Sequence, residues 1–289
     1  MIGVDWGTSS LRAYRLRGRE VLERRELPLG IATIPPTRFA PALQEAVGAW
    51  FEHGDLRILM SGMIGSRQGW VEAPYLPCPA SLDDLARALV PVPYPGLQVL
   101  LVPGLTTGGP DGVPEVMRGE EVQVLGAALG PGAIACLPGS HSKWVRMREG
   151  RIDGFSTYLT GEAFAALRGH TILGRMMQDG APHDPEAFRR GVLRSSEAGG
   201  LLHHLFGVRT LGLFAQLTEA AAASYLSGLL IGHEVRTAAL DAPVHLIGAA
   251  ELCGRYSDAI ALCGGTAMLA EADAAAQGLA LIGERATWT

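Results

Sequence analysis

The sequence predicts an α/β protein built from two similar halves. Strand-like and helix-like segments alternate along most of its 289 residues, a pattern typical of α/β folds. An apolar strand, a loop of small residues and a hairpin open the chain, and the same order of elements starts again near residue 133. The chain is long enough for two domains. We therefore expect one domain at 1–131 and a second at 132–289, whose last helix could pack back on the first.

The first half opens with a strand at 2–6, which ends in the small-residue loop Gly7-Thr8-Ser9-Ser10. A strand at 11–17 follows, and the turn Arg17-Gly18-Arg19 predicts a hairpin. Apolar spacing and breaker residues then predict a helix at 39–51, a strand at 56–60, a proline-rich surface segment at 74–95, a strand at 99–102 and a helix at 116–129.

The second half repeats this plan. A strand at 133–137 leads into a turn at 138–142, and a hairpin of strands 143–148 and 152–158 follows around Glu149-Gly150. The remaining pattern predicts helices at 185–194 and 216–240, a strand at 244–247, a helix after the loop at 248–250, a strand at 259–262 and a final helix opened by Gly264-Gly265-Thr266.

Composition and charge argue against several classes of protein. Charged residues make up 18% and hydrophobic residues 48% of the chain, as in a compact globular protein. The net charge of −5 provides no basic field for nucleic acid or an anionic membrane. No apolar run reaches the length of a membrane span, and the start lacks a basic and then apolar leader. The four cysteines are scattered, which favours free thiols. We expect a cytoplasmic protein.

Lys143 is the only lysine in the sequence, against 23 arginines. It follows a loop of small and polar residues, Gly139, Ser140, His141 and Ser142. Backbone N–H groups in such a turn bind anions, and an ammonium adds a compact positive charge that a planar guanidinium does not replace. The loop therefore predicts a phosphate site, although biased codon usage could also leave a single lysine. His141 could donate to the phosphate or shape the turn.

Asp5 ends the first strand, directly before the loop at 7–10. A carboxylate beside hydroxyls and unhindered amides suits a magnesium-bound polyphosphate, with the metal held by Asp5 directly or through water. An ordinary Asx turn would use the same residues. The chain contains neither G-x-x-x-x-G-K-S/T nor G-x-G-x-x-G, which excludes the P-loop and Rossmann types. Two hairpin-based phosphate loops remain.

The duplicated halves and their two loops resemble the actin, hexokinase and Hsp70 superfamily. The resemblance implies two similar ribonuclease H-like domains, the actin-like ATPase fold, with ATP in the cleft between them. It also implies an adenosine-binding loop after a later strand. Gly248 lies in a segment similar to that loop, although a plain strand-to-helix turn would also use a glycine there.

Several segments narrow the resemblance to the 2-dehydro-3-deoxygalactonokinase family. They are Asp5–Arg12, Ser61–Ser66, Val116–Glu121, Pro138–Trp144 and Thr160-Gly161-Glu162, in order over nearly the full length. The resemblance implies transfer of the γ-phosphate of ATP to the 6-hydroxyl of 2-dehydro-3-deoxy-D-galactonate in galactonate catabolism. ATP and Mg²⁺ are the implied cofactors. Neither composition nor spacing identifies this sugar acid.

The transfer needs a base near the acceptor hydroxyl. Glu120 and Glu121 begin a predicted helical stretch, and a similar Gly-x-Glu-Glu segment in the related exopolyphosphatases carries their catalytic glutamate. Adjacent helical residues point about 100° apart, so we expect one of the two to face the substrate and place Glu121 first. Both could instead only stabilise the helix N-terminus. Asp5 competes for the role, but its place beside the loop fits the metal better.

The acceptor carries a carboxylate, which an arginine or a set of backbone donors would bind. Arg67 and Arg118 are the candidate arginines, because Arg67 follows the loop at 61–66 and Arg118 precedes the two glutamates. Trp70 could line the pocket or pack in the core. The other residues that we assign to the acceptor pocket are Ser61, Gly62 and Met63.

Two other classes of function stay open on the sequence. One is an exopolyphosphatase-like phosphohydrolase, in which the same glutamate would position water. The other is a nucleotide-gated binding protein without an acceptor. Within the kinase class, 2-dehydro-3-deoxygluconate is an alternative acceptor. The sequence also leaves a homodimer open.

Overall fold

A computed structural model describes residues 1–108, 112–238, 240–270 and 273–288. The chain forms two compact units. Unit 1 comprises Met1–Gly132, Val145–Ser156 and Ala270–Thr289, and unit 2 comprises Ala133–Trp144 and Thr157–Leu269. The units are therefore not separated by a single cut in the chain, because part of the second hairpin and the last helix group with unit 1.

The strands and helices of the described residues are numbered in chain order. The strands are β1 (Ile2–Trp6), β2 (Leu11–Arg17), β3 (Glu20–Leu27), β4 (Arg57–Ser61), β5 (Tyr75–Pro77), β6 (Val90–Val92), β7 (Gln98–Leu101), β8 (Gly104–Gly108), β9 (Pro114–Met117), β10 (Ile134–Leu137), β11 (Ser142–Arg148), β12 (Arg151–Tyr158), β13 (Val244–Leu246) and β14 (Ala267–Leu269). The α-helices are α1 (Phe39–Phe51), α2 (Leu82–Arg87), α3 (Glu120–Gly126), α4 (Thr160–His170), α5 (Pro185–Arg194), α6 (Gly200–Leu213), α7 (Glu219–Thr237), α8 (Ala250–Leu262) and α9 (Ala274–Arg285).

The main sheet of unit 1 has the strand order β3-β2-β1-β4-β7-β6. β1 pairs antiparallel with β2 and parallel with β4, and β4 pairs parallel with β7. The carboxyl ends of β1 and β4 therefore meet at one edge of the sheet. In this register Asp5 lies opposite Ser61, so the loops that follow the two strands begin side by side.

Alternate residues of β1 face opposite sides of this sheet. Ile2, Val4 and Trp6 belong to a buried core that includes one face of α1. Gly3 faces the other side, where an added Cβ would lie 3.1 Å from Leu279 of α9. The sheet is thus packed between α1 and α9, and the glycine allows α9 to approach closely.

The second sheet has the strand order β12-β11-β10-β13-β14. β10 pairs parallel with β13, and β13 pairs parallel with β14. Each sheet therefore has a hairpin beside its first strand and parallel strands beyond it, as the duplicated sequence pattern predicts. The core of unit 2 lies between this sheet and buried faces of α5, α7 and α8, with Phe188, Val235 and Tyr256 among its large side chains.

Four predicted elements differ from the structure. The final helix does not open at Gly264-Gly265-Thr266, because these residues precede β14, and α9 begins at Ala274. The helix predicted at 116–129 is β9 followed by the shorter α3, because Gly119 with its φ of 106° ends the strand and begins the helix. The strand predicted at 259–262 is wrong, since these residues complete the buried face of α8; β14 follows instead. The proline-rich segment at 74–95 contains β5, α2 and β6, with a capping box of Ser81 and Asp84 starting α2.

Within the described residues, no helix combines the length and hydrophobicity needed to cross a lipid bilayer. All four cysteines are free thiols.

Candidate active site

Asp5 lies where three loops of unit 1 converge. Gly62, directly after β4, has a φ of 93°, and Gly119, directly before α3, has a φ of 106°. A Cβ on Gly62 would stand 2.7 Å from the Trp6 carbonyl oxygen and 3.3 Å from Asp5 Oδ1. A Cβ on Gly119 would stand 3.1 Å from Gly62 Cα. Both positions need glycine for its backbone conformation and for the close approach to the carboxylate.

Burial makes the charged form of the Asp5 carboxyl group costly. Its side chain is 12% exposed, and Arg12 lies 3.7 Å away. Burial is the main effect and raises the pKa of Asp5 to about 6, the nearby Glu120 raises it further, and Arg12 partly opposes both. A bound cation would reverse this shift, so the site suits a positive ligand.

Glu120 and Glu121 differ in what their carboxylates can reach. Glu121 is fully buried, and both of its oxygens accept from the Gly119 N–H at 2.7 and 2.9 Å. Burial raises the pKa of Glu121 well above its ordinary value, with Glu120 adding to the effect. Glu120 is half-buried, and its Oε2 accepts from the Arg118 N–H at 3.0 Å. Glu121 therefore shapes the start of α3, whereas Glu120 keeps contact with solvent.

The loop Gly7-Thr8-Ser9-Ser10 connects β1 to β2 and presents exposed hydroxyls at Thr8 and Ser9. The Gly7 N–H donates to the Ser10 carbonyl at 2.9 Å, which closes the turn. The segment at 30–32 packs against this loop, and the Ala32 N–H donates to the Thr8 carbonyl at 3.0 Å. Gly30 lies so close to Thr8 and Ser9 that any Cβ there would overlap their backbone. The sequence analysis missed Gly30, which has no local signal beyond being a glycine.

Arg118 is the better placed of the two candidate arginines. Its side chain is buried, its Nη2 donates to the Ala73 carbonyl at 2.7 Å, and its guanidinium lies 4.3 Å from the Tyr75 ring centroid. Among the described residues, neither Nε nor Nη1 of Arg118 has a hydrogen-bond partner, and the same holds for the buried Ser66 hydroxyl. Buried donors without partners are costly. Arg118 is therefore prepared to receive an acceptor.

The remaining residues assigned to the acceptor pocket separate into two groups. Ser61 is buried and donates weakly to the Val4 carbonyl at 3.5 Å, and Met63 begins a short 3₁₀ turn beside Gly62. Arg67 is 85% exposed and pairs with Glu72 at 3.7 Å. Trp70 packs edge-on against Trp6 with a centroid distance of 6.5 Å. Trp70 therefore contributes to the core, and Arg67 lies on the surface.

The second loop, at 139–143, is fixed in unit 2 by the start of α4. The Glu162 N–H donates to the Ser140 carbonyl at 3.0 Å, and a Cβ on Gly161 would stand 2.5 Å from the Gly139 carbonyl oxygen. His141 Nε2 lies 2.5 Å from Glu162 Oε2, and both side chains are exposed. The structure thus pairs two segments of the sequence resemblance, the loop and Thr160-Gly161-Glu162.

Lys143 is almost fully buried. Its Nζ donates to Thr157 Oγ1 at 2.9 Å, between strands β11 and β12. A compact ammonium fits this enclosed position, which supports a role in holding the base of the loop.

A buried carboxylate, Glu234 of α7, organises the surroundings of this loop. It accepts from Trp144 Nε1 and from the Tyr256 hydroxyl, each at 2.8 Å, and from the Thr160 hydroxyl. Tyr256 also shares a hydrogen bond of 2.7 Å with the buried Ser142 hydroxyl. Burial raises the pKa of Glu234, and its donors oppose that shift. Sequence analysis missed Glu234, whose partners lie up to 90 residues away in the chain.

A pocket of about 240 Å³ opens beside the loop within unit 2. Apolar and polar residues both line it. The lining residues are Gly139, Ser140, Thr160, Gly161, Phe164, Ser227, Leu230, Ile231, Leu252, Arg255 and Tyr256. Gly248 is close to the loop as well, since a Cβ there would stand 3.7 Å from the Pro138 carbonyl oxygen. Apolar side chains with a few polar groups are the usual lining of a small-ligand site.

Within the described part of the chain, no group of three or more histidine, cysteine, aspartate or glutamate side chains could hold a metal ion. A metal at Asp5 would therefore take most of its ligands from substrate and water, as Mg²⁺ commonly does with phosphates.

Known proteins resemble this chain along its whole length. A protein from Escherichia coli (strain K12), 2-dehydro-3-deoxygalactonokinase, is 34% identical over 91% of this chain and 90% of its own. A relative from Rhizobium meliloti (strain 1021), assigned the same name, is 37% identical over 99% of this chain and 96% of its own. A crystal structure of a candidate 2-dehydro-3-deoxygalactonokinase from Sinorhizobium meliloti covers 98% of both chains at 36% identity, with a TM-score of 0.90.

More distant structures, 11–14% identical with TM-scores of 0.52–0.54, share the fold alone. They confirm the predicted actin-like ATPase fold. The model of the 2-keto-3-deoxy-galactonokinase family matches residues 5–282, from Asp5 into α9. Because this match includes every loop described above, the chain belongs to the 2-keto-3-deoxy-galactonokinase family.

Proposed function

We propose that this chain transfers the γ-phosphate of ATP to the 6-hydroxyl of 2-dehydro-3-deoxy-D-galactonate. The observation that carries the proposal is the convergence of Asp5, Gly62 and Gly119 in a chain that matches the kinase family from end to end. In the reaction the sugar oxygen forms a bond to the γ-phosphorus, the bond from that phosphorus to ADP breaks, and the hydroxyl proton passes to a carboxylate.

Glu120 is the carboxylate that we assign to this proton. A base must approach a substrate hydroxyl to hydrogen-bond distance, and Glu120 is the more accessible of the two glutamates. Glu121 instead binds the Gly119 N–H and positions the turn that carries Glu120. The sequence analysis instead placed Glu121 first as the base.

The two loops bind the phosphates of ATP. The loop at 7–10 offers exposed hydroxyls and a backbone supported by Gly30. The loop at 139–143 offers Gly139 and Ser140 next to the N-terminus of α4, where N–H groups favour anions. The adenosine occupies the 240 Å³ pocket, with the base against Phe164 and Leu230 and the ribose near polar lining residues such as Ser227.

Mg²⁺ accompanies the ATP, and Asp5 holds it directly or through water. The raised pKa of Asp5 supports this assignment, because a carboxylate that burial destabilises gains from a neighbouring cation. Bound Mg²⁺ would supply positive charge to the β- and γ-phosphates.

Arg118 binds the carboxylate of the sugar acid. A guanidinium donates charge-assisted hydrogen bonds to a carboxylate, and Nε and Nη1 of Arg118 are nitrogens that have no partner among the described residues. These atoms are shielded from solvent, so binding requires a shift of the Tyr75 ring or of the loop at 61–66. Ser66 would add a third donor.

The reaction is tested by measuring ADP release from ATP and Mg²⁺ with 2-dehydro-3-deoxygalactonate, with its gluconate epimer and without sugar. We expect release that depends on the galactonate compound, with the phosphate at O6 in the ³¹P spectrum of the product. ADP release without any sugar would indicate a phosphohydrolase instead of a kinase. No ADP release under any condition would indicate a binding protein. Faster reaction of the epimer would assign a 2-dehydro-3-deoxygluconate kinase.

We also place the enzyme in the cytoplasm, where ATP is available and where its four free cysteines would stay reduced.

A further inference from the structure

Helix α6 is apolar on two opposite faces. Its inner face packs into unit 2 through Val208 and the fully buried His204. With 3.6 residues per turn, Leu202, Phe206 and Leu213 lie together on the outer face. A helix with apolar residues on both faces is normally covered on both sides. Among the residues that the structure describes, side chains cover the inner face of α6, and its outer face is exposed.

The outer face is strongly exposed. Leu202 is 85% exposed, Phe206 57%, Leu213 59%, and Phe214, directly after the helix, 75%. The segment 198–217 contains no acidic residue, and Arg209 is its single charged residue. An exposed apolar surface of this kind on a monomer, with Arg209 as the one charged residue on the same helix face, marks an interaction site. We call Leu202, Phe206, Leu213 and Phe214 the α6 face.

We propose that the α6 face joins two copies of this chain in a homodimer. Its four side chains expose on the order of 500 Å² per copy, so two copies that bury them fully would remove about 1,000 Å² from solvent, the lower limit for a specific interface. Each chain has a net charge of −5. The segment 198–217 contains no acidic residue, so a contact through the α6 face would not bring acidic side chains of the two copies together.

The order of residues along α6 makes the face complementary to itself. A two-fold axis near residue 207 sets two α6 helices antiparallel, so that each residue meets a different residue of the other copy. Leu202 then lies opposite Leu213 of the partner subunit, and Phe206 lies opposite Arg209 of the partner subunit. The first pair is apolar, and the second is a cation–π contact. This match favours a second copy over an unrelated partner.

The oligomeric state of the purified full chain tests the proposal. We expect sedimentation to give twice the 30.5 kDa mass of one chain at high concentration. The variant Leu202→Glu/Phe206→Glu should dimerise at least about 100-fold more weakly, as for loss of interface hot spots. Leu56→Glu is the matched control, because Leu56 is 50% exposed but lies in unit 1; it should leave the dimer intact.

Cysteine cross-linking tests the antiparallel register. Positions 202 and 213 are about 16 Å apart along one helix, too far for a disulfide within a chain. Under mild oxidation Leu202→Cys/Leu213→Cys should form a cross-linked dimer, whereas Leu202→Cys alone and the wild type should not. A wild type that stays monomeric at every concentration, or a dimer that survives Leu202→Glu/Phe206→Glu, would overturn the proposal. Both measurements are independent of the kinase assay, so a failure of either proposal can be recognised separately.

Discussion

Replacing Asp5 by asparagine should make the protein more stable and inactive. Burial raises the pKa of Asp5 to about 6 from the ordinary value of 3.8, so the charged carboxylate is costly in the folded state. Asparagine keeps the shape and removes the charge. Arg12, the neighbouring cation, is half-exposed and can be solvated when its partner is lost.

The pKa shift sets both the size and the pH range of the effect. Between pH 3.8 and 6 the folded state retains a proton that the unfolded chain releases, so wild-type stability falls as pH rises through this range. Above pH 6 the accumulated loss is about 3 kcal/mol at about 1.4 kcal/mol per pKa unit. The raised pKa already includes the opposing attraction of Arg12, so this figure is the net effect. We expect Asp5→Asn to be more stable than the wild type by roughly 3 kcal/mol at pH 8 and equally stable below pH 3.8.

Urea denaturation at several pH values measures this difference, with Asp55→Asn as the matched control in the same unit. Burial alone would raise the pKa of Asp55, but Arg15 at 2.8 Å and the N-terminal ammonium lower it. Asp55→Asn should therefore lose stability at pH 8 while Asp5→Asn gains it. The two variants therefore test whether a raised pKa and a lowered pKa change the stability in opposite directions.

A stability gain that does not depend on pH, or a loss at pH 8, would refute this account of Asp5. Mg²⁺ with an ATP analogue gives a further readout. Mg²⁺ should raise the melting temperature of the wild-type complex and have less effect on the Asp5→Asn complex. Equal effects on both proteins would remove Asp5 from the metal site.

Three further substitutions test the assigned residues. Lys143→Arg should lower kcat by about 10- to 100-fold with the fold retained, because a larger guanidinium in this buried site would displace the loop that Lys143 supports, and misplacement by about 1 Å can cost about 100-fold in rate; steady-state kinetics and circular dichroism check both. Glu120→Gln should reduce kcat by about 10²–10⁴-fold without changing ATP affinity, whereas Glu121→Gln should retain most of kcat and should not lose stability at pH 8, because burial raises the pKa of Glu121 as it does that of Asp5; the reverse pattern, measured by kinetics and urea unfolding, would restore Glu121 as the base. Arg118→Met should raise KM for the sugar acid by about 10- to 100-fold, and Arg67→Met should not; similar KM values would exclude Arg118 from carboxylate binding.

Much of the fold follows from local sequence signals. The apolar spacing of residues 39–51 predicts α1 with its observed ends. The turn Glu149-Gly150 predicts the hairpin of β11 and β12, and alternation around a small-residue loop predicts the pair β1 and β2. The error at 259–262 has a local cause, because a short apolar run fits a buried strand as well as the end of a helix. Local signals do not predict the strand order, because the parallel pairing of β1 with β4 joins residues more than 50 positions apart.

The sequence by itself determined that loops rich in glycine and serine follow the first strand of each half, that Asp5 and Lys143 adjoin them, and which family the chain resembles. These properties lie in contiguous residues. The tertiary structure showed that Arg118 is buried while Arg67 is exposed, and that Glu121 is fully buried while Glu120 is half-buried. It also introduced Glu234 as the carboxylate that orients the second loop. Burial and hydrogen-bond partners made these distinctions, and both depend on side chains brought together from distant parts of the chain.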